Sequence, residues 1–101
     1  MRMLMTVRFP NPEFNAAVKN GNVTKIMNRI LEDCGPEAVY FTEEEGQRTA
    51  MLVVNVEEAS MIPRLAEPWF LAFNARVELS IAMTPEDLRK SGIDDLGRKW
   101  G

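Results

Sequence analysis

The sequence predicts an α+β domain in which a single antiparallel sheet carries helices on one face. Three observations predict it. Arg2–Phe9 and Ala75–Thr84 alternate apolar and polar residues with the period of strands whose two faces meet different surroundings. Two segments with helical spacing, Val23–Asp33 and Ser60–Phe73, follow or precede those strands. Between the helices, two apolar runs flank Glu43-Glu44-Glu45-Gly46-Gln47, which reads as a hairpin loop with Gly46 at positive φ. At 101 residues the chain is one domain, residues 1–101.

The first strand turns Met3, Met5, Val7 and Phe9 to a dry face and Arg2, Leu4, Thr6 and Arg8 to a mixed one. Pro10 ends it. Asn11-Pro12-Glu13 is a helix start, with Asn11 as N-cap and Pro12 at the first helical position. The stripe of Phe14, Ala17 and Val18 does not continue. Val23, Met27, Ile30 and Cys34, flanked by Ile26 and Leu31, fall on roughly the opposite side of a continuous helix. The pattern therefore gives a short turn of helix, a stop at Gly21, a cap at Asn22 and a main helix to about Asp33, closed by Gly35-Pro36. Glu37–Thr42 is the second strand, with Val39 and Phe41 opposed to Ala38 and Tyr40. The acidic run after it is a solvated turn, because consecutive carboxylates splay apart and make a poor metal site. Thr49–Val56 is nearly continuous in apolar character, which predicts a central third strand.

Ser60 caps the next helix, with Pro63 in its first turn, where a missing N–H costs nothing. Ile62, Leu65, Ala66, Trp69, Phe70 and Phe73 form a full stripe. Pro68 is expected to kink this helix or split it, and Asn74 to end it in the left-handed region. In the fourth strand Val77, Leu79, Ile81 and Met83 are dry, with Arg76, Glu78, Ser80 and Ala82 opposite. Thr84-Pro85-Glu86-Asp87 opens a short capped helix that stops at Gly92. Residues 85–101 are thus a short C-terminal helix and a tail, IDDLGRKWG, in which Trp100 fits no periodic pattern. The order β-α-β-β-α-β, with two right-handed crossovers and a central hairpin, is the split βαβ or ferredoxin-like arrangement: strand order 4-1-3-2, with both helices on one face.

Composition excludes several classes. Hydrophobic residues make up 46% and charged residues 27%, which is wrong for disorder. The net charge is −3 and no Lys/Arg cluster exceeds two adjacent residues, so nucleic acid is not an expected partner. No apolar run is long enough to span a membrane, and MRMLMTVRFP is too short for a signal peptide. A lone cysteine, Cys34, allows no intrachain disulfide, and the expected compartment is a reducing cytoplasm. There is no histidine, which removes the commonest general acid/base, the usual haem ligand and most zinc and iron sites. No Gly-rich phosphate loop or Ser nucleophile elbow is present. No cofactor and no metal are expected.

The open face of the sheet decides the functional question. It carries Leu4, Thr6, Arg8, Ala38, Tyr40, Arg76, Glu78, Ser80 and one alternating set of the third strand, either that of Asn55 or that of Leu52 and Val54. This mixture is too apolar to stay wet and too polar for a simple core. A second copy packed sheet to sheet buries the apolar members and leaves a small polar-lined cavity, which predicts a homodimer.

The order of elements and this mixed face resemble the dimeric α+β barrel superfamily. More narrowly, PEAVYFTEEEGQRTAMLVV, IPRLAEPWFLAFNARVE and MTPEDLRKSG resemble a family of small uncharacterised bacterial proteins of that type. The likeness covers most of the chain, and EPWFLAFNA and MTPEDL carry most of it. The superfamily includes muconolactone isomerase-like proteins, cofactor-independent monooxygenases, haem-degrading enzymes and ligand-sensing domains, so the resemblance implies a dimer and a cavity rather than a reaction. The chain lacks the histidine that haem-binding members use.

Thr6, Arg8, Tyr40, Glu78 and Ser80 are the ligand-binding candidates of the cavity. Arg8, Tyr40 and Glu78 are also the catalytic candidates, with Arg8 holding an anionic or enolate oxygen and Glu78 acting as a base raised by burial. Against that stands an Arg8–Glu78 cross-strand ion pair at the interface, the favoured reading. Trp69, Phe70 and Phe73 are read as core, not an aromatic ligand pocket. Cys34, at the negative end of its helix, is a poor nucleophile, and the seven methionines are adaptable core filler. Three functions remain: a homodimeric domain binding a small apolar or anionic metabolite without cofactor, a cofactor-independent isomerase or monooxygenase, and a purely structural or interaction dimer.

Overall fold

Met3 and Met5 are buried while Leu4, between them in the alternation, stays half exposed, so the first strand separates two unlike faces of a sheet. The computed structural model describes residues 1–101. Its elements are β1 (Arg2–Arg8), α1 (Asn11–Lys19), α2 (Val23–Cys34), β2 (Ala38–Glu44), β3 (Gln47–Asn55), α3 (Met61–Phe73), β4 (Arg76–Ile81), α4 (Pro85–Lys90) and α5 (Ile93–Trp100). The strands form one sheet in the order β2-β3-β1-β4 with every neighbouring pair antiparallel, the expected ferredoxin-like order 4-1-3-2 read from the other edge.

The pairing Leu4↔Val53 and Thr6↔Met51 fixes the register of β3. Residues directly opposite share a face, so Met51, Val53 and Asn55 look out on the open side while Ala50, Leu52 and Val54 enter the core. There they meet Ala17 of α1, Met27 and Ile30 of α2, and Leu65, Trp69 and Phe73 of α3. Phe9, just past β1, is the hub of an aromatic cluster. Its ring centroid lies 5.0 Å from that of Phe14, 5.2 Å from Phe73 and 5.8 Å from Trp69, all edge to face. Of the methionines only Met3, Met5 and Met27 are buried; Met1, Met51 and Met83 are exposed, so core filling describes part of the set.

Several local expectations are corrected. The hairpin loop is two residues, Glu45-Gly46, with φ of 53° and 78°; Glu43, Glu44, Gln47 and Arg48 all belong to the ladder. Positive φ at both central positions makes the tight turn that matches strand twist. Asn11 lies inside α1 and Pro10 holds the cap position. Neither Asn22 nor Ser60 caps through its side chain, because neither backbone is in the extended region an N-cap requires. Thr84 is extended and does cap: its Oγ1 accepts from the Asp87 N–H at 3.1 Å, and Asp87 Oδ2 accepts from the Thr84 N–H at 3.0 Å. Asn74 ends α3 at φ 54°, as expected.

Pro68 does not split α3, which runs unbroken from Met61 to Phe73. A proline in a helix interior costs about 3 kcal/mol. Burial of Leu65, Ala66, Trp69 and Phe73 along one stripe exceeds that and keeps the helix continuous. Ile81 and Met83, expected to be dry, are 64% and 67% exposed, because no helix packs over that end of the edge strand. The expected tail is helical. In α5, Ile93, Leu96 and Trp100 share a stripe at spacings of three and four, which places Trp100 in a pattern after all. Helices α4 and α5 contact each other and little else, and neither buries a residue. They extend the molecule to 58 × 29 × 18 Å, with a radius of gyration of 17.0 Å. A compact chain of this length measures about 13 Å.

Candidate ligand-binding face

β1 lies between β3 and β4, so its outward residues Leu4, Thr6 and Arg8 occupy the middle of the open face. Each sits in a row across the sheet: Ala38-Val53-Leu4-Ser80, then Tyr40-Met51-Thr6-Glu78, then Thr42-Thr49-Arg8-Arg76. The first two rows carry the apolar members. Leu4 is 49% exposed, Met51 45% and Tyr40 73%, a band running from the β2 edge to the central strand β1 with no element of the chain upon it.

The third row is electrostatic. Arg8 Nη1 donates to Glu78 Oε1 at 2.9 Å, and Arg8 Nη2 lies 3.5 Å from Glu44 Oε1. Arg76 Nε stands 3.7 Å from the same Glu78 oxygen. Two arginines and two glutamates on three strands thus form a charge-balanced chain, in which the most shielded member is the Arg8 side chain at 24% exposure. The expected Arg8–Glu78 cross-strand pair is present, reached diagonally because the direct partner of Arg8 is Arg76.

The candidates do not all converge. Thr6 is the direct cross-strand neighbour of Glu78, and Ser80 lies one row further along β4, opposite Leu4. Tyr40 belongs to the far edge strand, three strands from Glu78, which at about 4.8 Å per strand is some 14 Å away. In a single copy the Glu78 side chain is half exposed.

Two shifted groups lie off this face. Burial, with a smaller push from the Asp33 charge, raises the Cys34 thiol above its ordinary value, which disfavours the thiolate. The hydrogen bonds from the Thr84 backbone and hydroxyl hold the Asp87 carboxyl below its ordinary value of 3.8. A depressed carboxylate adds stability above its unfolded pKa and loses it as pH falls through the folded one, so the start of α4 loosens only in acid.

Sequence reasoning missed three things. Glu44 reads as hairpin loop in the sequence, although it continues the alternation of Tyr40 and Thr42 onto the open face. A cleft of about 890 Å³ between α2 and α3, bordered by Ile26, Ile30, Pro68 and Leu71, had no sequence signal. A pocket of about 340 Å³ on the helical side, reached by Arg48, had half of one: Arg48 alternates with Ala50, Leu52 and Val54, and the register shows that set to be the inward one.

No protein-family model and no curated protein sequence matches the chain. Solved structures similar to it include a formyltetrahydrofolate deformylase from Pseudomonas putida KT2440, at 16% identity and a TM-score of 0.50, covering 81% of this chain and 29% of that one. The de novo designed protein Ferredog-Diesel follows at 10% identity and a TM-score of 0.47, covering 80% and 85%. A candidate antibiotic biosynthesis monooxygenase from Deinococcus radiodurans gives 10% and 0.43, covering 83% and 94%. The chain spans under a third of the deformylase, and the likeness to it is one of fold alone. No helix of the chain is long and apolar enough to cross a membrane.

Proposed function

We propose that this domain works as a homodimer whose two sheets pack face to face and enclose a small cavity that binds a metabolite without a cofactor. The uncovered band of Leu4, Met51 and Tyr40 beside the Arg8 network carries the reading, since an apolar stripe across three of the four strands is costly to leave in water. Thr6, Arg8, Glu78 and Ser80 supply the polar lining. Binding is preferred to turnover because Tyr40 stands far from Glu78 in the same chain, leaving an isomerase or monooxygenase without its third group.

Sedimentation equilibrium tests the proposal. The intact chain is expected to be a dimer at about 10 μM, and Arg8→Ala to weaken it at least about tenfold by leaving Glu44 and Glu78 without a shared cation in the interface. A monomer of 11.5 kDa persisting at about 100 μM overturns the dimer. A dimer unaffected by Arg8→Ala removes the ion network from its interface.

A further inference from the structure

The pocket on the helical side opens on the face of the sheet opposite the proposed dimer contact, and of its lining only Thr42 and Thr49 also belong to the open-face rows. It arises because β2 is an edge strand. Phe41 points to the helix-covered side, opposite Ala50, yet is 55% exposed where the helical layer leaves a gap beside α2. The gap measures about 340 Å³, within the range of small-molecule sites. Phe9, Phe14, Met27 and Leu31 give it an apolar interior, and Phe41 forms its outer wall.

Arg48 gives the pocket its chemistry. The register sets Glu43 directly across from it on β2, so a cross-strand ion pair is the default arrangement. The guanidinium turns away instead. It lies over the Phe14 ring, 4.5 Å from the centroid, and Nη1 donates to Asn15 Oδ1 at 2.8 Å. Both contacts are to neutral groups, and no carboxylate lies within ion-pairing distance, unlike Arg2, Arg8, Arg64, Arg76, Arg89 and Arg98. A guanidinium has five N–H donors, of which Asn15 takes one. The pocket therefore presents a half-buried cation without a counter-ion, held flat by an aromatic ring and open to an apolar cavity.

We propose that this pocket binds a small monocarboxylate bearing an aromatic ring or short alkyl chain, with the carboxylate on Arg48 and the apolar body between Phe41 and α2. Arg48 is the only cation lining the pocket and the chain is itself net −3, so a polyphosphate would be poorly compensated while a single carboxylate is matched. Thr24 and Asn28, one helical turn apart on α2, add hydrogen-bonding groups at the rim.

The test is a titration of the ¹⁵N-labelled full chain with 3-phenylpropionate, read by amide chemical shifts, with 3-phenylpropionamide as the neutral counterpart. Saturable shifts are expected at Thr24, Asn28, Phe41, Thr42 and Arg48, with the acid binding at least about tenfold more tightly than the amide. Arg48→Met should remove that preference, and Arg48→Lys, which keeps the charge without the planar fork, should retain part of it. If Arg48→Met fails to fold, the acid-to-amide ratio on the unaltered protein decides alone. Equal binding of acid and amide, or no saturation by about 10 mM, overturns the proposal. Shifts confined to Thr6, Tyr40 and Glu78 overturn it as well, and support the sheet-face cavity instead.

Discussion

Glu45 adopts φ 53° at the first position of the β2–β3 turn, a conformation that asparagine and glycine take readily and glutamate does not. It also follows two other glutamates. Glu45→Asn should therefore raise stability by about 0.5–1 kcal/mol, seen as a higher urea midpoint at unchanged m-value. At this scale legibility depended on alternation. Arg8, Thr6, Glu78 and Ser80 could be assigned to one face from sequence because period two leaves no other choice once Met5 and Val7 are buried. Glu44 could not, since a loop read as five residues cuts the strand before it. Arg48 was hidden for the opposite reason: beside a turn, a charged residue reads as part of the turn, and its inward direction emerges only from the register.

Among the elements, α3 shows tertiary packing prevailing over a local rule. Pro68 withdraws an interior hydrogen bond, yet Trp69 and Phe73, both fully buried, hold the turns on either side against the sheet. Pro68→Ala should restore the bond and stabilise the protein by about 2 kcal/mol, the helix gain less the freedom returned to the unfolded chain. Urea unfolding measures it, and a loss of stability would show that the proline shapes the helix it interrupts. Helix α2 was readable because a Gly35 terminator and an apolar stripe agree. Helix α5 was not: eight residues with Gly97 inside make a marginal helix, and its stripe has too few members to stand out.

For the whole molecule, strand order is legible in the sequence because a hairpin between two right-handed crossovers admits few topologies. The elongated outline was not, since nothing in the order of elements says whether a C-terminal helix packs back. Helices α4 and α5 bury no residue and stand off the body, so they contribute little to the core. Removing residues 93–101 should change unfolding free energy by less than about 0.5 kcal/mol while lowering the radius of gyration in small-angle scattering toward the compact value. A larger loss of stability would mean that α5 packs against the sheet in solution.

The central position of β1 also governs the order in which the chain can be completed during synthesis. The strand made first pairs with β3 on one side and with β4, the last strand made, on the other. A nascent chain that has not yet delivered Arg76–Ile81 holds one bare backbone edge along β1, in the middle of what will be the sheet. Such edges recruit other strands, and translation adds only about 5–20 residues per second. Interrupted or C-terminally truncated products lacking β4 are therefore the species of this protein most prone to aggregate, and the last strand is what makes the first one safe.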